Sequence, residues 1–263
     1  MSSKIELNGI TMNYRTEGPD DAAVVMLSNS LLTNYSMWDD QMEALLGAGF
    51  RVLRYDTRGH GGTDAPAEPY SIALFVEDVI ALLDELGIPK VHFVGLSMGG
   101  FIGQLLGASH PDRVLSLNLC DTACIMPHRD PWNDRIKAAE SDGVEALIEP
   151  TLERWFTAPF HKTDQATLDK VRAMIRANSV QGYVNCAITI RDLDQCHVLA
   201  DISAPTQIVV GEDDPATPLA SAKLLHEGIA DSVLVVLKNA AHLPNIEQRK
   251  MFNQALLEFL TKF

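Results

Sequence analysis

Three features of the 263-residue sequence predict an α/β fold: a mostly parallel sheet with helices on both faces and a helical cap inserted late in it. Short apolar runs alternate with amphipathic helical stretches along most of the chain, the pattern of parallel strands joined by crossover helices. The run Val24–Leu27 is apolar throughout, as a strand buried on both faces requires. The alternation stops between about Thr122 and Cys196, where only helical patterns occur, and resumes at Thr206–Val210. The chain therefore divides into a core, 1–121 and 197–263, and an inserted helical cap, 122–196, over the ends of the strands. In open α/β sheets that is where ligands bind.

The elements follow in order. Lys4–Leu7 and Thr11–Thr16 flank Asn8-Gly9, a hairpin signal. The strand Val24–Leu27 ends in the small polar loop Ser28-Asn29-Ser30-Leu31-Leu32, and Ser36–Ala48 reads as one helix with Met37, Gln41, Met42 and Leu45 along a side. Val52–Tyr55 is the next strand, followed by the glycine-dense loop Asp56–Gly62. Ser71 is the expected N-cap of a helix reaching Leu86, with Ile72, Phe75, Val79, Leu82 and Leu83 at helical spacing and Gly87 as its stop. Strand Val91–Leu96 runs into a helix from Met98 to about His110, and Val114–Leu119 is another strand. The cap is predicted to hold helices around Asn133–Glu140, Val144–Phe156, Leu168–Asn178 and Gly182–Ile190. A helix at Leu219–Ile229, a strand at Val233–Leu237 and a closing helix with Phe252, Leu256, Phe259 and Leu260 on one face complete the core.

Composition narrows the function. A net charge of −14 argues against nucleic acid and anionic membrane surfaces as partners. No apolar run reaches the length of a membrane span, and the first residues contain no apolar leader. Cys120, Cys124, Cys186 and Cys196 lack paired C-x-x-C spacing and read as reduced thiols, which predicts a cytoplasmic protein. His60, His92, His110, His128, His161, His197 and His226 show no metal-ligand spacing and read as structural. No Gly-rich nucleotide motif is present, so neither a metal nor a cofactor is expected.

The chemistry is concentrated at strand ends. Gly95-Leu96-Ser97-Met98-Gly99, between a strand and a helix, is a nucleophile-elbow pattern that projects Ser97 clear of the sheet. A serine hydroxyl needs a base within reach, and the base needs an orienting acid. In this type of fold they follow the serine in the order acid, then histidine. His242 follows the strand Val233–Leu237, and Asp213 and Asp214 follow Thr206–Val210. Asp214 is the expected acid, because three residues beyond Gly211 the chain has room to turn back over the sheet, while Asp213 is expected to cap or to face solvent. An oxyanion needs N–H donors. The backbone of Met98, at the start of the elbow helix, and of Leu31, in the loop after Val24–Leu27, are the candidates.

These motifs resemble the α/β-hydrolase family over nearly the whole chain, and within it the 3-oxoadipate enol-lactonases. The resemblance is carried by Leu27-Ser28-Asn29-Ser30-Leu31, Ser36-Met37-Trp38-Asp39, Phe50–Gly61, Gly95–Gly100, Arg154-Trp155-Phe156-Thr157 and Ala241–Glu247. Asn29-Ser30 stands where most α/β-hydrolases have His-Gly, a feature the enol-lactonases share; Leu32 departs from them at a position where they usually have Gly. The resemblance implies Ser97, Asp214 and His242 as triad, Leu31 and Met98 as oxyanion pair, and an enol-lactone substrate bearing a carboxylate. Arg135 near Trp132 and Arg154 beside Trp155 are the expected receivers of that carboxylate. An esterase or lactonase for another small ester, with possible perhydrolysis on the side, and a ligand receptor on the same fold are the alternatives.

Overall fold

The computed structural model describes residues 2–263 and forms an eight-stranded sheet in the order β1-β2-β4-β3-β5-β6-β7-β8. The strands are β1 Ser3–Leu7, β2 Ile10–Glu17, β3 Val24–Ser28, β4 Arg51–Tyr55, β5 Val91–Leu96, β6 Val114–Cys120, β7 Thr206–Gly211 and β8 Val233–Leu237. Only β1 with β2 and β2 with β4 pair antiparallel; from β4 onward every pair is parallel. The β1–β2 hairpin turns on Asn8 and Gly9, both with positive φ (43° and 74°), as Asn-Gly is suited to do. The parallel register carries the C-terminal residues of β3, β5, β6 and β7 to one edge, and all four strands are buried throughout or nearly so. β8, at the edge opposite β1, is half exposed.

Two helical layers cover the sheet. Helix α1 (Asp39–Gly47) packs against the closing helix α11 (Arg249–Leu260) on one face. Helices α2 (Ile72–Glu85) and α3 (Met98–Ser109) pack together, α3 lying on β5 and β6. Ser71 caps α2 as expected, its Oγ accepting the Leu74 N–H. The predicted apolar stripe of α11, Phe252, Leu256, Phe259 and Leu260, is buried.

Between β6 and β7 the chain adds no strand to the sheet and forms α4 (Asp130–Asp142), α5 (Ile148–Trp155), α6 (Ala158–Thr163), α7 (Gln165–Arg176) and α8 (Val180–Arg191). Its two feet meet: the Gln195 N–H donates to Cys124 O at 2.8 Å and the Met126 N–H to Leu193 O at 3.1 Å. Gln104 and Gln195 tie both feet to α3, through Ala123 O and Phe101 O. Helix α9 (Leu219–Gly228) and the short α10 (Pro244–Glu247) complete the set.

Several expectations need correction. The four cysteines are not all free: Cys124 and Cys196, which face each other across the feet of the insertion, form a disulfide, and only Cys120 and Cys186 remain as buried thiols. Their 72-residue separation carries no spacing signal, so the pairing appears only once the fold brings the feet together. The helix expected over Ser36–Ala48 begins as a 3₁₀ turn, Tyr35–Trp38, capped by Asn34. That expected over Val144–Phe156 is likewise a 3₁₀ turn, Val144–Leu147, followed by α5. Helices α6 and α10 have six and four residues, too short for an apolar period to show in the sequence.

Candidate active site

Ser97 sits between β5 and α3 with φ 54° and ψ −110°, a conformation disfavoured for any residue with a Cβ. The turn is tight enough to exclude side chains on either side. A Cβ on Gly95 would lie 2.1 Å from Gly99 O, and one on Gly99 would lie 2.3 Å from Ser28 O. The Ser97 N–H donates to Cys120 O and the Gly99 N–H to Asn29 O. The Met98 N–H, at the first position of α3, has no acceptor within the helix.

His242 and Asp214 come from the loops after β8 and β7 and are both buried, 3% and 4% exposed. His242 Nδ1–H donates to Asp214 Oδ2 at 2.8 Å, which leaves Nε2 as the unprotonated nitrogen. Asp214 Oδ1 also accepts the N–H groups of Ala216 and Thr217, and Oδ2 accepts the Thr217 hydroxyl at 2.6 Å. Burial pushes the Asp214 carboxyl upward, but His242, Thr217 and Ala216 together outweigh it and hold the group below the usual carboxylate range. Asp213 is exposed, its backbone N–H bonded to Ala240 O.

The loop after β3 is fixed from several sides. Asn29 donates to Tyr55 O and accepts from the Trp38 indole, which ties the loop to β4 and to the 3₁₀ turn that follows. Leu32 has φ 61°, the left-handed region that favours Gly. Its N–H donates to His60 Nε2 at 3.0 Å, and its carbonyl accepts from Asn178 Nδ2 at 3.0 Å. His60 is fully buried, which pushes its pKa down to about 4 and keeps the imidazole neutral. The sequence reading missed His60, Asn178 and Thr217, since nothing in their neighbourhood along the chain marks them as site residues.

A mostly apolar cavity of about 360 Å³ lies between the strand ends and the inserted segment. Ser97, His242 and Leu31 line its floor; Trp132, Arg135, Arg154 and Trp155 line its roof, so seven of the nine expected site residues border one space. Met98 and Asp214 stand behind Ser97 and His242 rather than on its wall. The Arg135 guanidinium lies 4.8 Å over the Trp132 ring, and Arg154 Nη2 donates to Thr151 Oγ1. Burial and the neighbouring Arg135 charge both pull Arg154 below the ordinary guanidinium pKa, and burial does the same to Arg135. Among the described residues neither makes an ion pair, whereas Arg58, Arg172 and Arg176 pair with Asp78, Glu149 and Glu145.

A serine elbow, a buried His–Asp pair and a shared cavity at the carboxyl edge of a parallel sheet define a hydrolase. The chain belongs to the alpha/beta hydrolase fold family, whose sequence model matches residues 23–248. It is 35% identical over 254 residues to 3-oxoadipate enol-lactonase 2 of Acinetobacter baylyi, covering 97% of this chain and 94% of that one. The enol-lactonase of Burkholderia xenovorans is 37% identical, and its crystal structure superposes with a TM-score of 0.96 over 98% of this chain and all of that one. An esterase from Thermogutta terrifontis, with malate bound, is 25% identical with a TM-score of 0.90 over all of this chain and 98% of that one. The protein is thus a hydrolase-fold enzyme related to enol-lactonases, and ester or lactone hydrolysis fits its site. No helix among the described residues is long and apolar enough to cross a membrane.

Proposed function

We propose that the protein hydrolyses a small enol-lactone carrying a free carboxylate, 3-oxoadipate enol-lactone by likeness to its relatives, through an acyl-enzyme. The observation that carries this reading is the pair of guanidiniums, Arg135 and Arg154, facing the cavity without a carboxylate partner of their own. Two neighbouring half-buried cations repel each other and lose part of their hydration, so an anion from outside relieves both penalties. In a chain of net charge −14 such a local pair is what an anionic substrate needs.

In this reading the segment 122–196 serves as the cap. Ser97 Oγ attacks the lactone carbonyl while His242 Nε2 takes its proton, and Asp214 holds the imidazole and stabilises its charged form. The N–H groups of Leu31 and Met98 receive the oxyanion. Collapse opens the ring and expels the enol oxygen, which His242 protonates; the enol remains tethered because ring opening leaves both halves in one acyl chain. Water, deprotonated by His242, then releases the carboxylic acid and regenerates Ser97, and the enol tautomerises to the ketone. No step requires a metal or cofactor. A cytoplasmic location belongs to the same proposal, and the Cys124–Cys196 bond is the observation that weighs against it.

A panel that sets the enol-lactone against neutral esters of similar size tests the substrate. Preferred turnover of the lactone supports the proposal; preferred turnover of a neutral ester favours a general esterase. Binding without turnover of any member would make the chain a receptor.

A further inference from the structure

The His–Asp pair has a third member that the mechanism above does not use. Asp121 follows β6 directly, Asp214 lies three residues beyond the end of β7, and β6 and β7 are neighbours in the sheet. It is fully buried and has φ 41°. Its Oδ1 accepts the Gly211 N–H at 2.8 Å, whereas Oδ2, equally buried, has no partner other than the carboxyl it faces. One side-chain nitrogen or oxygen each of Asp121, Asp214 and His242 lies within 4.8 Å of the other two. Two carboxyl groups this close and this dry do not both ionise. The four donors on Asp214 decide which one does: Asp214 is the anion and the proton resides on Asp121.

We propose that Asp121 is a positioning residue of the triad, a neutral carboxylic acid whose O–H donates to Asp214 and fixes that carboxylate against His242. The proposal rests on Asp214 acting as the acid of the triad. The surroundings agree with the assignment. The other charges that act on Asp121, from Asp214 and from Glu247 in α10, are both negative, and both hold the proton in place together with burial. Burial holds the adjacent Cys120 thiol well above its ordinary pKa, so it too stays neutral. A donor here also answers the otherwise unpaired Oδ2, since a buried polar atom without a partner is costly. The same positional signal that marks Asp214, an acid at the carboxyl end of a core strand, is present at Asp121 in the sequence.

The substitution Asp121→Asn separates a neutral donor from an anion. An amide can keep both contacts, its oxygen accepting from Gly211 and its nitrogen donating to Asp214, and Asn tolerates the positive φ. Infrared difference spectra of wild type minus Asp121→Asn at pH 7 should show the C=O stretch of a protonated carboxyl. With a neutral p-nitrophenyl ester as substrate, Asp121→Asn should keep kcat/KM within about threefold, with the acid limb of its pH profile unmoved. Asp121→Ala should lower kcat about tenfold, a loss of roughly 1.4 kcal/mol, with KM little changed. Stability gives a readout independent of activity. The raised pKa of Asp121 means the native state keeps a proton that the unfolded chain releases, so stability falls as pH rises above about 4. Asp121→Asn should lack that part of the fall. The absence of the protonated-carboxyl signal, or a shift of the acid limb to lower pH in Asp121→Asn, would show that Asp121 is ionised and overturn the proposal. An Asp121→Ala enzyme as fast as wild type would overturn the positioning role. The infrared result does not depend on catalysis, so it stands whether or not Asp214 proves to be the acid.

Discussion

The imidazole of His60 accepts a hydrogen bond from the backbone N–H of Leu32 at 3.0 Å, and so fixes the peptide that follows Leu31. Because Nε2 is the acceptor, Nδ1 carries the hydrogen and turns to Arg58 O at 3.3 Å. The residue at the bend, Leu32, is held in the left-handed region, which costs a non-glycine residue roughly 1–2 kcal/mol. Its buried side chain and the hydrogen bonds from its two peptides offset that cost.

This arrangement makes His60 a source of acid sensitivity. Its pKa is about 6.5 in the unfolded chain and about 4 when folded. The unfolded state therefore binds the extra proton first as pH falls, and stability is lost progressively from about pH 6.5 down to about pH 4. The loss amounts to roughly 3 kcal/mol for a shift of this size. Replacing His60 by Gln, which can accept from Leu32 without titrating, should flatten that part of the curve of urea midpoint against pH. An unchanged slope would show that His60 is not the group responsible.

Asn178 ties the inserted segment to the same loop. Its Nδ2 donates to Leu32 O, and its Oδ1 accepts the Gly61 N–H at 3.3 Å. Asn178→Asp keeps the acceptor and loses the donor, placing a carboxylate against a carbonyl. We expect kcat on a neutral ester to fall about tenfold or more with little change in KM, because loop geometry matters most once the oxyanion forms. Steady-state kinetics of Asn178→Asp and Asn178→Ser check this; equal loss in KM and kcat would point to a general loosening of the segment.

The two aspartates after β7 should separate cleanly. Asp214→Asn disturbs the tautomer and orientation of His242 and should lower kcat by about 10⁴-fold, whereas Asp213→Asn should leave it nearly unchanged. Ser97→Ala should abolish nearly all turnover in a protein that still folds. Circular dichroism together with kcat for the three variants provides the comparison, and the reverse ranking of the aspartates would assign the acid to Asp213.

Thiol titration of the denatured, unreduced protein should count two free thiols, Cys120 and Cys186, and four after reduction. Closing a loop of 72 residues stabilises the native state by about 4 kcal/mol on the chain-entropy view, so reduction should lower the unfolding midpoint. Four thiols without reduction would mean that the bond does not form where the protein is made.

Much of this was legible in the sequence, for local reasons. β5, α3 and Ser97 are specified by an apolar strand, two glycines and a helix start within ten residues. Ser71 and the stripe from Ile72 to Leu83 specify α2 by capping and period. What stayed hidden depends on long-range assembly. The Cys124–Cys196 pairing and the Asn178–Leu32 bond across 146 positions have no local pattern to announce them. His60 was read as structural because a lone histidine in a glycine-dense loop carries no signal of the peptide it contacts.

The most direct measurement is kcat/KM for a carboxylate-bearing enol-lactone and for a neutral ester of similar size, in wild type and in Arg135→Ala, Arg154→Ala and the corresponding Lys variants. Loss of a charge-assisted bond of about 1.5–3 kcal/mol should raise KM for the anionic lactone roughly tenfold to a hundredfold, with far less effect on the neutral ester. Lys should restore only part of the loss, because it lacks the planar fork. If neither arginine distinguishes the anionic from the neutral substrate, the carboxylate-bearing lactone is not what this cavity selects.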